Sequence, residues 1–262
     1  MRNFIYAANW KLNKTPKDAE LFFQDFLGQL PKSGLGASAS GGKKQIVFFV
    51  PALTLSASME AKRRSEDSTF ELGLQNAFWE AKGAFTGENS STVAKQMGAD
   101  WLLVGHSERR SLFGETDADT AKKVAAAFQA ALTPMLCVGE SLAERESGKT
   151  IEVVRRQLHV VLRDEAIKAK IISGNAFVIA YEPVWAIGTG KVATPEQASE
   201  VHQAIRGILT SELGEKSAQA ISILYGGSVK ADNAKAIAAM PDIDGFLVGG
   251  ASLEPSSFAA LF

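Results

Sequence analysis

The sequence has little of several residue types, and each shortage excludes a class of protein. It has one cysteine, so no disulfide can form within the chain. Its three histidines show no spacing typical of a zinc site. The formal net charge of −1 provides no basic excess for nucleic acid. No apolar run approaches the roughly 18 residues of a membrane helix. We therefore expect no metal site and no binding to nucleic acid or membranes.

The shortage of cysteine also predicts the cellular compartment of the protein. A lone cysteine is typical of a reducing compartment. The first residues, from Met1 to Tyr6, lead directly into a strand-like run without a signal-peptide pattern. We therefore expect a cytoplasmic protein. Cys137 itself is expected to be a small buried hydrophobe rather than a nucleophile.

Apolar residues, in contrast, are abundant and recur in short runs. They make up 46% of the 262 residues, which is enough for a large core. Eight runs resemble buried parallel strands, at 4–8, 45–50, 70–74, 101–104, 135–138, 177–181, 221–225 and 246–248. Eight strands alternating with helices predict an α/β fold, a (β/α)₈ barrel formed by the single domain 1–262. An open doubly wound sheet is the alternative, but it usually has fewer strands.

Helix signals lie between the runs. Thr116 with Asp119 predicts a helix start, followed by an apolar stripe of Val124, Phe128 and Leu132. The segment 194–197, Thr-Pro-Glu-Gln, predicts a second start, with Val201, Ile205 and Ile208 as its stripe. The stretch from Lys32 to Lys44, rich in Gly, Ser and Ala, is interpreted as a flexible surface loop.

Polar residues and glycine pairs follow the predicted strands. In this barrel type the active site lies at the carboxyl ends of the strands. There we find Lys11 after the first strand, His106 after the fourth and Glu182 after the sixth. Diglycine turns at 226–227 and 249–250 follow the seventh and eighth strands, where such barrels commonly bind phosphate through backbone N–H groups. The pattern therefore favours acid–base chemistry on a phosphorylated substrate.

These motifs resemble those of one family, the triosephosphate isomerases. The resemblance runs in order through NWKLN at 9–13, GAFTGE at 83–88, VGHSERR at 104–110, AYEPVWAIGTG at 180–190, YGGSV at 225–229 and VGGASL at 248–253. It implies interconversion of dihydroxyacetone phosphate and glyceraldehyde 3-phosphate through an enediol(ate), without metal or cofactor. The sequence PDIDG at 241–245 is similar to that of bacterial members.

The resemblance also implies a role for each site residue. Glu182 would be the base, His106 a neutral electrophile, and Lys11 the cation that holds negative charge. The supporting and substrate-binding residues would be Asn9, Ser107, Glu108, Gly188, Ser228, Gly249 and Gly250. A helix beginning near Ser107 would disfavour the charged form of His106.

Two other functions remain open at this point. Another phosphosugar enzyme of the same fold would share the phosphate turns but should lack Glu182 and His106 in these contexts. A non-catalytic phosphosugar-binding barrel should lack at least one of Lys11, His106 and Glu182. The segment 188–193 resembles the glycine-rich motif that binds dinucleotides. That motif opens a helix directly after a strand, and this segment does not, so we reject a dinucleotide site.

A homodimer is the expected assembly. The loop that begins at Asn76 and ends at Thr86 is long for a strand-to-helix connection. It carries Phe78, Trp79 and Phe85, which suit an interface better than water. In the resembling family this loop inserts beside the partner's first and fourth loops.

Overall fold

Eight short segments pair side by side as parallel strands and close into a barrel in chain order, with the last strand beside the first. The structure is a computed structural model that describes residues 2–30, 35–36, 41–65, 70–187 and 193–262. The strands are β1 (Phe4–Asn9), β2 (Lys44–Val50), β3 (Glu71–Leu74), β4 (Trp101–Val104), β5 (Thr133–Val138), β6 (Val178–Tyr181), β7 (Ser222–Tyr225) and β8 (Gly245–Val248). The predicted (β/α)₈ barrel is confirmed.

Strand β5 differs most from its prediction, because it begins at Thr133 and includes Pro134. Pro134 has no N–H to donate, yet it pairs in register with Leu102 of β4. Proline is tolerated near the first residue of a strand, where the ladder loses little. Asn9, expected just after the first strand, is the last residue of β1.

Helices connect the strands and cover the outside of the barrel. They are α1 (Pro16–Gln29), α2 (Leu55–Arg64), α3 (Ser91–Gln96), α4 (Ser107–Phe113), α5 (Asp117–Gln129), α6 (Leu142–Glu146), α7 (Thr150–Leu162), α8 (Glu165–Ile172), α9 (Pro195–Leu213), α10 (Glu215–Ala218), α11 (Ala231–Ala238) and α12 (Pro255–Ala259). Single 3₁₀ turns occur at Ala52–Thr54, Val184–Ala186 and Gly250–Leu253.

Both predicted helix starts are confirmed as capping boxes. In α5 the side chains of Thr116 and Asp119 bond each other's backbone N–H, and in α9 those of Thr194 and Gln197 do the same. One detail was wrong. Leu132 lies beyond the end of α5, in the turn before β5, although it is buried as expected.

The strands divide the apolar residues between two cores. Side chains of one parity fill the barrel interior, among them Ile5, Phe49, Leu103 and Cys137. Those of the other parity pack outward against the helices. Cys137 is fully buried and free, as predicted.

Part of the predicted surface loop at 32–44 lies outside the described residues, since only Leu35, Gly36 and residues from 41 onward are described. Within the described ranges, no helix combines the length and the apolar character needed to cross a membrane.

His202 of α9 is a titratable group sealed in the outer core. It is 0% exposed, and its Nδ1 hydrogen-bonds the carbonyl oxygen of Asp242 at 2.9 Å. Its Nε2 finds no hydrogen-bond partner in the described part of the chain. Burial lowers the pKa of His202 to about 4, with nearby Arg206 acting in the same direction against the opposing effect of Asp242. The protein therefore folds around a neutral imidazole.

We predict that His202 makes the fold acid-sensitive. Because its folded pKa lies below the unfolded value of about 6.5, the unfolded chain binds the proton first, and stability falls as the pH drops from about 6.5 towards 4. The loss between pH 7.5 and pH 5 should be about 2 kcal/mol of unfolding free energy. Urea unfolding at both pH values should show that this loss is largely absent in His202→Gln. An equal loss in both proteins would assign the acid sensitivity to other groups.

Candidate active site

One cavity at the mouth of the barrel collects the ends of strands that are distant in sequence. Its volume is about 420 Å³. Its lining includes most of the residues predicted from sequence, namely Asn9, Lys11, His106, Glu182, Ser228, Gly249 and Gly250. They reach the cavity because the carboxyl ends of β1, β4, β6, β7 and β8 meet at this rim.

A cavity of similar volume, about 410 Å³, lies at the amino ends of the strands. Its charged lining residues are Glu71 and Lys216, and the indole N–H of Trp101 donates to Glu71 at 2.5 Å. No histidine lines it. Volume alone therefore does not distinguish the two ends, and the acid–base groups do.

Glu182 stands at the end of β6 and is 2% exposed. The backbone N–H of Ser107 donates to Oε2 at 2.9 Å, and Nε2 of His106 lies 3.0 Å from Oε1. The Ser107 hydroxyl, at 3.4 Å, and the Cys137 thiol also hydrogen-bond this carboxylate. A buried carboxylate with this many donors remains ionised and fixed in one position.

His106 caps the amino end of α4. Its Nδ1 accepts the backbone N–H of Glu108 at 3.2 Å, so Nε2 is the nitrogen that carries a proton toward Glu182. Burial lowers the pKa of His106, but the carboxylates of Glu182 and Glu108 raise it by more. Conversely, burial raises the pKa of Glu182, and His106 together with the Ser107 N–H lowers it to a net value below the ordinary one. The hydrogen bond from the Glu108 N–H to Nδ1 favours the neutral imidazole, whereas the Glu182 carboxylate favours the charged one.

Lys11 enters the cavity from a strained turn. Its backbone φ is +52°, a left-handed conformation that residues other than glycine rarely adopt. Its Nζ lies 2.6 Å from Oε1 of Glu108, and its backbone N–H donates to Oδ1 of Asn9 at 3.0 Å. Strain of this kind persists only where surrounding groups hold it, and it is typical of functional sites.

Gln75, just after β3, is one of the groups that hold this turn. Its Nε2 lies within hydrogen-bond distance of Oδ1 of Asn9 at 3.2 Å, the carbonyl of Lys11 at 2.9 Å and the carbonyl of Phe49 at 3.1 Å. The sequence analysis gave Gln75 no role. Its position at the carboxyl end of β3 was the only signal.

Side-chain hydrogen bonds to backbone carbonyl oxygens fix the two diglycine turns. Asn233 donates to the Ser228 carbonyl at 3.1 Å, and the Ser252 hydroxyl donates to the Gly249 carbonyl at 2.7 Å. The second turn opens the 3₁₀ segment at Gly250. Such turns expose backbone N–H groups that suit an anion.

Glu140 is a second buried carboxylate that the sequence analysis missed. It is 0% exposed, and it accepts hydrogen bonds from the Tyr181 hydroxyl at 3.1 Å and the Trp185 indole N–H at 2.9 Å. These bonds tie β6 and the segment that follows it to the loop after β5. Gly188, which the family resemblance predicts to bind substrate, lies in 188–192, outside the described residues.

Comparison with known proteins agrees with this geometry. The family model of triosephosphate isomerase matches residues 4–262. The chain belongs to the triosephosphate isomerase family. The triosephosphate isomerase of Bdellovibrio bacteriovorus is 49% identical over 257 residues, which cover 98% of each chain. That of Solibacter usitatus is 45% identical over 100% of this chain and 99% of its own, and that of Streptococcus agalactiae 44% over 99% and 97%.

This family assignment selects among the functions left open by the sequence. The matches span nearly the whole of both chains, so they concern the entire barrel and not a shared phosphate turn. The protein is therefore an isomerase, and its relatives are bacterial, as the sequence resemblance indicated. No cluster of three or more side chains suited to hold a metal occurs among the residues that the structure describes.

The close approach of β7 to Glu182 provides a prediction. A Cβ added at Gly226 would lie 2.9 Å from Cγ of Glu182 and 3.1 Å from the Tyr181 carbonyl oxygen. Gly226→Ala should therefore displace the carboxylate and lower kcat by roughly 10²-fold, the usual cost of a misplaced catalytic group. Gly207→Ala on α9 is the matched control, since nothing lies within 4 Å of its added Cβ. Equal kcat values in the two variants would contradict the prediction.

Proposed function

We propose that this protein interconverts dihydroxyacetone phosphate and D-glyceraldehyde 3-phosphate through an enediol(ate), using its own side chains for proton transfer. The observation that carries the proposal is the pair of Glu182 and His106, held 3.0 Å apart at the mouth of the barrel, in the cavity that Lys11 also lines. The family and its relatives support the same reaction.

Glu182 is the proposed base. The reaction removes a proton from the carbon beside a carbonyl and returns one to the neighbouring carbon. A carboxylate is strong enough for this step when the developing oxyanion is stabilised at the same time. Without substrate, the Glu182 carboxylate bonds Ser107 and His106. When substrate binds, Glu182 would give up these bonds and contact the substrate carbon that loses the proton.

His106 is the proposed electrophile. Its Nε2–H would donate to the carbonyl oxygen and then to the enediolate oxygen, and it would shuttle a proton between the two oxygens. A substrate lying between His106 and Glu182 weakens the attraction that now favours the charged ring. The N–H of Glu108 on Nδ1 would then keep the imidazole neutral.

Lys11 and the turns are the proposed anion site. Lys11 provides the nearby positive charge, with Glu108 as its ion partner and Asn9 holding its backbone. The phosphate would be bound by backbone N–H groups of Gly188, Ser228, Gly249 and Gly250. Only the last three of these line the described cavity.

Replacement of the base tests the proposal. Glu182→Gln keeps the shape and removes the proton acceptor, so kcat for glyceraldehyde 3-phosphate should fall at least about 10²-fold. Exchange of substrate hydrogen with deuterated water, followed by NMR, should fall in parallel. Glu200→Gln, at an exposed position of α9, is the control. More than about a tenth of wild-type turnover in Glu182→Gln would show that another group is the base.

We also propose that the active protein is a homodimer. Four exposed apolar side chains lie on the segments that follow β1 to β4, which are neighbours in the barrel. Leu12 is 99% exposed, Leu53 88%, Phe113 69% and Phe85 42%. Exposed apolar side chains on neighbouring segments suit an interface.

The long loop supplies the centre of this surface. Phe78 stacks on Trp79 with ring centroids 4.0 Å apart and on Phe85 at 4.6 Å. The aromatic cluster stiffens the loop, and residues 81–88 are all exposed. A two-fold axis would let each copy bury the loop of the other.

Insertion of a charge tests the dimer. Leu53→Glu should convert a particle of about twice 27.9 kDa into monomers, as measured by light scattering at micromolar concentration. Ile172→Glu is the control, because Ile172 is also exposed, at 52%, but lies at the opposite end of the barrel. Wild-type protein that is monomeric with full turnover would contradict the proposal.

A cytoplasmic location is proposed on one observation. The chain has a single cysteine, and it is free and buried. Proteins of reducing compartments commonly have few cysteines and no disulfide.

A further inference from the structure

We propose that Gln157 is a positioning residue for Glu182, acting from behind the site through Gly139. Gln157 belongs to α7 and is 4% exposed. Its Oε1 accepts the backbone N–H of Gly139 at 2.8 Å, and its Nε2 donates to the carbonyl oxygen of Gly139 at 3.1 Å. One amide thus satisfies both backbone groups of a single residue. The inference rests on the proposed role of Glu182 as base.

Gly139 is the middle of the backbone segment against which Glu182 lies. The N–H of Glu182 donates to the Val138 carbonyl at 2.7 Å, and the N–H of Val184 donates to the Glu140 carbonyl at 3.2 Å. Between these two bonds the chains are so close that a Cβ at Gly139 would lie 1.7 Å from the Glu182 carbonyl oxygen. A rotation of the peptide groups flanking Gly139 would therefore move the backbone of Glu182.

Glycine provides no restraint of its own against such a rotation, because it lacks a Cβ and has the widest conformational freedom. The bidentate amide of Gln157 supplies that restraint from outside the barrel. Helix α7 does not need this amide to dock, because Val153, Val154, Leu158 and Val161 bury its apolar face. We therefore assign to the Gln157 amide the role of fixing the Gly139 backbone, and through it the position of the Glu182 carboxylate.

The surroundings of Gln157 make the inference testable without unfolding the protein. Gln157 and Gly139 both line a cavity of about 440 Å³ beside the site, so water can reach the backbone groups of Gly139 when the amide is removed. The charged side chains that line the same cavity are Arg110, Glu115, Asp117, Glu144 and Arg156, and they are common to every variant below.

The first test removes both hydrogen bonds at nearly constant volume. Gln157→Met should lower kcat about 10- to 100-fold, because the base loses its fixed position. KM should stay within about twofold, since the two diglycine turns and Lys11 follow other strands. Val154→Ala on the same helix is the control, as it costs packing but removes no hydrogen bond to Gly139, and it should leave kcat unchanged below the melting transition. Equal effects on kcat, or a change confined to KM, would overturn the proposal.

The second test uses a side chain whose hydrogen bonding depends on pH. In Gln157→Glu the ionised carboxylate can accept the Gly139 N–H but cannot donate to its carbonyl. The protonated form can do both, and burial raises the pKa of such a carboxyl. The kcat of Gln157→Glu relative to wild type should therefore recover by about fivefold or more between pH 8 and pH 6. A ratio that is constant with pH would overturn the proposal, and this variant gives the result even if Gln157→Met fails to fold.

A double variant separates this inference from the proposed function. If Gln157 acts only through the base, adding Gln157→Met to Glu182→Gln should change the remaining rate by less than about twofold. A full additional loss would show that Gln157 acts elsewhere. If Glu182→Gln alone retains its turnover, the assignment of the base fails. If only Gln157→Met retains it, the base stands and the positioning role fails.

Discussion

The buried carboxylate of Glu182 is the constraint on which the site depends. Burial of an ion costs several kcal/mol unless hydrogen bonds and an opposite charge offset it. Here the offset comes from His106, the Ser107 N–H and the Cys137 thiol. These groups stand at the ends of β4 and β5, whereas Glu182 follows β6, so the charge is tolerated only when three neighbouring strands pair in register. The ionised state of Glu182 thus depends on the closed barrel.

Features that depend on a short stretch of chain could be predicted from the sequence. The eight strands follow from apolar runs, and the helix starts at Thr116 and Thr194 follow from capping residues and their partners three positions on. The acid–base residues could be placed because a parallel barrel brings all carboxyl ends of its strands to one rim. His106 and Glu182 needed only that topology, together with the family resemblance, to be assigned to one cavity.

Features that depend on contacts across the chain could not be predicted. Gln75, Glu140 and Gln157 hydrogen-bond groups far away in sequence, and for Gln75 and Gln157 these are backbone groups, so no spacing or periodicity marks them. The strained φ of Lys11 has no local signal either, because lysine is not a residue that favours it. Pro134 gives a misleading signal, since a proline usually ends regular structure, and only the register with β4 shows that it lies within a strand.

The two ends of the barrel differ in how their charged groups are paired. At the amino ends, the guanidinium of Arg206 donates to Asp242, Asp244 and two backbone carbonyls, and Arg2 joins the same network. Charges satisfied in this way stabilise the fold and have little left for a ligand. At the carboxyl ends, Glu182 holds His106 and Glu108 holds Lys11 through bonds that a substrate can replace with equivalent ones of its own. The two ends therefore differ in whether their charged groups could change partners without being left unpaired.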